Sequence, residues 1–306
     1  MGKSFDRVVI VMVENALRAN VLKNEYMNSL LECGVFLENS YGVTHSSQPN
    51  YIASVGGDTF GICDDAPNYA HWLYTPPGHM VTSIVDLLEA KSLTWKSYAE
   101  DIPDDYNEQN AQCLTANQGK LPSQWTFPYG TQSEQHQIFP FARKHVPFLS
   151  FPNIISNADR SSCIVNASEF ATDLANGTLP NYSWYTPNLI NDGHSLSDTE
   201  KKADPLDQNR AVNIDNIANF LQSFLGDNPV EKFPPRTLIV VTFDEAYPYY
   251  DPYQIYTLLI GDMLPAGTTR LEPYNHYCML RSIEDNFGLG TLSRNDAVAR
   301  PYWFLE

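Results

Sequence analysis

Positive charge is what this chain lacks most. Its 306 residues hold 19 lysines and arginines against 36 aspartates and glutamates, a formal net charge of −17. That balance argues against nucleic acid or an anionic membrane as a main partner, since both need a positive face. A small anion can still bind, but only where a cation or histidines locally offset the field. Long apolar runs are also missing. The run Val8–Val13 is far too short to span a bilayer, and it sits among Lys3, Asp6, Arg7 and Glu14, the wrong flanks for a signal peptide. No stable membrane association is expected, and the chain reads as cytoplasmic, or as secreted after removal of a leader. Cysteine is sparse and unpatterned: Cys33, Cys63, Cys113, Cys163 and Cys278 form no Cys-x-x-Cys pair, so no zinc signature is present. Isolated thiols, or one or two disulfides with a thiol left over, both fit. Sequons at Asn166, Asn176 and Asn181 suit a secreted protein. Internal repeats and low-complexity linkers are absent.

What is present is a chain that can bury a core. Hydrophobic residues make up 43% and charged residues 18%, which excludes general disorder. Arg7–Val13 and Thr237–Phe243 are continuous apolar runs, as expected of parallel strands covered on both faces. Further strands are expected at Val35–Phe36, Leu93–Tyr98, Phe148–Phe151, Ser183–Thr186 and Ile255–Ile260. Helical periodicity predicts helices at Val21–Cys33, after Ser47, after Thr82, from Asn166 or Ser168 to Gly177, at Ala211–Leu225 and at His276–Phe287. Gly226 and Gly288 stop the last two. The alternation predicts one α/β domain over residues 1–306: a doubly wound, mostly parallel central sheet with helices on both faces and its site at the carboxyl edge of the strands. Residues 100–140, rich in Asn, Gln, Pro, Asp and Tyr over most of their length, read as a loop or lid insertion.

The chemistry collects where strands end. Glu14-Asn15 follows the first strand and Asp244-Glu245 follows Thr237–Phe243, so both pairs belong at one sheet edge. Three carboxylates and an amide meeting there repel one another unless a cation or protons intervene, and such oxygens suit a hard or borderline divalent ion. In Thr44-His45-Ser46-Ser47-Gln48-Pro49-Asn50-Tyr51, Ser47 opens a helix, where amides and the helix dipole favour an anion. It is either a nucleophile for phosphorus or an ordinary N-cap. Asp192 and His194 flank Gly193, whose backbone freedom lets both side chains turn to one centre. His276, at a helix N-terminus, is disfavoured as a cation and suits a ligand or a donor to phosphate. Arg143-Lys144-His145 is a basic trio in an acidic chain, read as a solvated face or an anion contact, with no role assigned.

Together these segments resemble one family: the acid phosphatases and phosphoesterases related to bacterial phospholipase C, within the alkaline phosphatase superfamily. The resemblance is carried, in order, by Val11–Asn15, Thr44–Tyr51, Trp95–Pro103, Arg143–Phe148, Thr186–His194, Thr242–Glu245 and Asn275–Leu289. It implies metal-assisted hydrolysis of phosphate monoesters through a phosphoserine. Ser47 is then the nucleophile, with Ser46 its rival because family members often carry His-Pro-Ser where this chain has His45-Ser46-Ser47. His194 and His276 are assigned to catalysis, and His45, Asn50 and Asp192 to substrate binding. Glu14, Asn15, Asp244 and Glu245 are the expected ligands of one divalent ion (Mg, Ca, Mn or Zn). A second ion is disfavoured, since many members carry a His-Asp-x-His run where this chain has only one histidine. The expected partner is a small-molecule phosphate ester; oligomeric state stays open. A phosphodiesterase or phospholipase C is the alternative, with Trp72, Tyr74, Tyr247, Tyr249, Tyr250 and Tyr253 available to line a pocket. A non-catalytic binding protein and an isomerase or transferase on the same scaffold are the further readings.

Overall fold

The computed structural model describes residues 2–65, 74–75, 79–103, 139–196, 211–247 and 254–302. Most of the expected 100–140 insertion, with Cys113, lies outside the described residues. The frame is an eight-stranded sheet. Its strands are β1 (Arg7–Val13), β2 (Gly34–Leu37), β6 (Trp95–Ala99), β7 (Ile164–Asn166), β8 (Tyr182–Thr186), β9 (Thr237–Phe243), β11 (Thr257–Ile260) and β12 (Thr268–Arg270), in the order β12-β2-β11-β9-β1-β8-β6-β7. All neighbours are parallel except β11, which runs antiparallel to both β2 and β9. A small sheet joins β3 (Ser40–Tyr41), β10 (Gln254–Ile255) and β13 (Tyr274–Asn275), and β4 (Tyr74–Thr75) pairs with β5 (His79–Met80).

The alternation of side chains along a strand explains the layers. On β1, Val8, Ile10 and Met12 join one core, with Tyr51, Ile52 and Val55 of the Ser47–Gly56 helix and Met279, Leu280 and Ile283 of the His276–Phe287 helix. Val9, Val11 and Val13 point the other way, into a second core with Ile214, Ile217 and Leu221 of the Ala211–Leu225 helix. The fold class is therefore as expected: α/β, with a mostly parallel sheet covered on both faces. Among the described residues no helix is long and apolar enough to cross a membrane. Cys33, Cys63, Cys163 and Cys278 are all free thiols.

Several expected elements differ. Val21–Cys33 is three short pieces rather than one helix, Arg18–Val21, Glu25–Ser29 and a 3-10 turn at Leu30–Cys33. Asn24 is the cause: its side chain accepts the Met27 amide and restarts the helix as an N-cap. Phe148–Phe151 is not a strand, because Pro147 opens a 3-10 turn over Pro147–Ser150 whose apolar residues are buried. Ser83, not Thr82, caps the Ile84–Ala90 helix, through a capping box with Asp86. Ile255–Ile260 is divided between the small sheet and β11.

Candidate active site

Strand β1 lies between β9 and β8 and parallel to both, so the three carboxyl ends meet at one edge. Each delivers acid or histidine there. Asn15 turns the chain at the end of β1 with φ of 32°, in the positive region that Asn tolerates better than most residues. That turn aims its amide at Asp244 Oδ1, 3.0 Å away. Gly42 lets the segment before Ser47 close on the end of β9; a Cβ there would lie 3.1 Å from the Asp244 carbonyl oxygen. Gly193 has φ of +84°, and a Cβ would meet Ile217 at 2.5 Å, so the Asp192–His194 turn requires glycine.

Ser47 is the first residue of its helix, and Ser46 is the N-cap, with no side-chain capping bond. The Ser47 hydroxyl is buried and lies 3.2 Å from both Glu14 Oε2 and Glu245 Oε1. Its hydroxyl thus faces acids from two strands, where an ordinary cap would face its own helix. Glu14 Oε2 also accepts from His194 Nδ1 at 2.9 Å and from the Asn15 amide group. Glu14 Oε1 sits 2.9 Å from His145 Nε2, yet neither atom has a hydrogen-bond partner of good geometry. His45 Nδ1 pairs with the remaining oxygen of Glu245.

The missed residue is His145. It is fully buried, stacks on the Tyr51 ring at 5.0 Å and 11°, and donates from Nδ1 to Asp192 Oδ2 at 2.9 Å. Burial alone would lower its basicity, but Glu14 and Asp192 outweigh that and raise its pKa to about 9. Its only trace in the sequence is its place in Arg143–Phe148, one of the segments that carry the family resemblance.

Two residues expected on the substrate side are instead occupied by the protein. Asn50 Oδ1 accepts the Val43 and Thr44 amides, while its Nδ2 donates to the Thr44 and Ser46 carbonyls. No N–H of that side chain remains for a phosphate; Asn50 braces the loop that carries Ser47. Asp192 is fully buried, with one oxygen on His145 and the other on the His194 amide at 2.7 Å. His276 donates from Nε2 to the Asp244 carbonyl at 2.6 Å, and burial lowers its pKa to about 4, so it is neutral. Of the aromatic residues considered for pocket lining, Tyr247 alone has a described side chain.

Charge is unevenly settled here. Burial pushes Glu14 up, but the charge and hydrogen bonds of His145 and His194 hold it well below the usual carboxylate range. Burial, then the charges of Glu14 and Glu245, push Asp244 well above that range. Burial and Glu14 raise Glu245 to about 8. Asp244 Oδ2 and Asn15 Oδ1 are buried acceptors with no hydrogen-bond partner among the described residues. Unpaired buried oxygens beside mutually repelling carboxylates are what a divalent cation would satisfy, so the residues present fit such an ion. Glu14, His145 and His194 also bring ligand atoms within 4.8 Å of one another, a second donor set that shares Glu14 with the oxygen set.

The layered sheet is a fold shared with solved structures of low sequence identity. A protein in the alkaline phosphatase superfamily from Vibrio parahaemolyticus superposes with a TM-score of 0.54 at 12% identity, covering 96% of this chain and 70% of that one. The phosphonate monoester hydrolase of Agrobacterium radiobacter gives 0.52 at 13%, covering 97% and 78%. The chain belongs to the Phosphoesterase family, whose model matches residues 21–290. It is 32% identical to a phosphate-repressible acid phosphatase of Penicillium chrysogenum over 97% of this chain and 63% of that one. It is 27% identical to a phosphatidylinositol-3-phosphatase of Mycobacterium tuberculosis over 94% of this chain and 78% of that one. The chain spans about three-fifths of the length of the fungal acid phosphatases it matches.

Proposed function

We propose that this protein hydrolyses phosphate monoesters through a phosphoserine at Ser47, with one divalent cation at the edge formed by Glu14, Asn15, Asp244 and Glu245. The observation that carries the reading is the Ser47 hydroxyl, 3.2 Å from two carboxylates of different strands, at the start of a helix. The acid phosphatases among its relatives support the substrate class.

In this reading Ser47 Oγ attacks phosphorus in line, and its proton passes to a carboxylate oxygen of Glu14 or Glu245. The bond to the ester oxygen breaks as the new P–O bond forms. His194, on the open side of Glu14 and 27% exposed at its side chain, gives the leaving alkoxide its proton. Water then attacks the phosphoserine, frees phosphate and returns the proton to Ser47. His145, clamped between Glu14 and Asp192, holds Glu14 in place. A bound divalent ion would supply charge neutralisation at the phosphoryl oxygens and lower the pKa of the serine hydroxyl.

Ser47→Ala tests this. Turnover of a chromogenic monoester should fall by at least about a thousandfold with the melting temperature nearly unchanged. Retention of full activity would rule out Ser47 as the nucleophile. A matched diester substrate, run alongside, should be cleaved more slowly than the monoester.

A further inference from the structure

Lys144 belongs to the basic trio with no role assigned above, and its side chain is only 12% exposed. Its Nζ donates to Asp65 Oδ2 at 2.9 Å, and Asp65 Oδ1 accepts the backbone amide of Gln48 at 2.9 Å. Gln48 immediately follows Ser47 and is the second residue of a ten-residue helix. One carboxylate therefore bridges a buried ammonium and a first-turn amide beside the nucleophile. Pro49 has no N–H, and the Ser46 side chain claims no first-turn amide, so the Gln48 amide is answered by Asp65 alone among the described side chains. Lys144 also lies within electrostatic reach of Glu14, Asp244 and Glu245.

A phosphate dianion approaching Ser47 meets three buried acids in a chain of charge −17. A divalent ion would offset part of that field, and a positive side chain turned toward the phosphoryl group would offset more. Lysine serves well, as a compact charge on a flexible stem that can change partners. An ammonium and a helix-start amide bridged by two oxygens of one anion is a phosphate-type site, and a carboxylate is the side-chain group closest to that anion in donor demand. Asp65 is 26% exposed at its side chain, so solvent can take it when it leaves.

Resting on the proposed phosphatase reading, we propose that Lys144 and the Gln48 amide bind the phosphoryl group of the substrate, and that the Asp65 carboxylate keeps their place until substrate displaces it. Lys144 then acts on substrate directly, and Asp65 sets the affinity by competing for the same two donors.

The test uses the full chain, inorganic phosphate as the probe, calorimetry for its affinity, and KM and kcat for a chromogenic monoester. Lys144→Met should weaken phosphate binding at least roughly tenfold, the loss of one charge-assisted hydrogen bond, with KM rising more than kcat falls. Lys144→Arg should restore most of the affinity, which a purely structural role would not require. Asp65→Asn should tighten phosphate binding by about threefold or more. The double variant Lys144→Met/Asp65→Asn should bind phosphate more weakly than Asp65→Asn alone. Unchanged phosphate affinity in Lys144→Met, or no rescue by arginine, overturns the assignment of Lys144. Weaker or unchanged binding in Asp65→Asn overturns the placeholder. A wild-type protein that releases no phosphate from any monoester sinks the phosphatase reading itself. A wild-type enzyme that turns over normally beside an indifferent Lys144→Met sinks this inference alone.

Discussion

The two ends of the Ser47–Gly56 helix both rest on buried acids, and they treat them differently. At the carboxyl end the main chain is tied off. Arg294 donates to the Gly56 carbonyl at 2.6 Å, Asn295 donates to the Gly57 carbonyl, and Asp296 accepts the Leu292 and Arg294 amides. A cation there also complements the helix dipole. Glu284 lies beneath, and burial, then the charge of Asp296, raise its pKa to about 9, so it keeps its proton. At the amino end, acids are met by histidines and a lysine, and buried acceptors are left over. The carboxyl end ties off its main chain and keeps its acid protonated, though both Glu284 oxygens are buried without a hydrogen-bond partner among the described residues. The amino end gathers several acids at once, and a bound cation would offset their repulsion.

The largest expected effect should come from breaking the unmet end. Glu14→Gln or Asp244→Asn should lower metal content and activity together, activity by about a hundredfold. Elemental analysis of the purified variants checks it, and a chelator should depress the melting temperature of the wild type but not of the variants. Unchanged metal content would strike that residue from the ligand set. Next is the brace that joins the two behaviours. Asn50→Ala removes four hydrogen bonds around Ser47 and should cost about 2 kcal/mol by urea unfolding, with activity falling alongside. An Asn50→Ala protein as stable as wild type would mean that the loop finds other partners.

The smallest effect concerns the tied end. Glu284 titrates near 4.5 unfolded and near 9 folded. Between those values the folded state binds the extra proton, so stability is fullest at low pH and falls as pH rises toward 9. Glu284→Gln should flatten that fall and be the more stable protein at pH 8 by about 1 kcal/mol. Parallel pH dependences of melting in the two proteins would show that Glu284 does not carry the proton.

How much of this could be read from the chain follows from how local each signal is. The strands β1 and β9 were legible because burial on both faces needs an unbroken apolar run, and their acidic ends pointed to the edge they share. The Ala211–Leu225 and His276–Phe287 helices carry regular stripes and terminal glycines. The break at Asn24 was not legible, since a capping side chain competes with a helical stripe that continues past it. His145 was hidden for a different reason: among Arg143 and Lys144 it looks like surface, and only its pairing with Glu14 and Asp192 makes it interior. Asn50 and Asp192 were read toward substrate, whereas their side chains bond the protein's own backbone and His145, because sequence spacing cannot tell a side chain facing outward from one bracing its own loop.

The central strand has a further consequence for how the molecule is made. β1 takes its neighbours from far downstream, at Tyr182 and Thr237, and Asn15 meets Asp244 across 229 residues. A ribosome delivers β1 before either of its partners exists. The carboxylates of the edge thus come together, and begin to repel one another, only when β9 reaches β1. A nascent chain that ends before β9 carries Glu14 and Ser47 but lacks Asp244 and Glu245, so the edge they share forms only once β9 has docked.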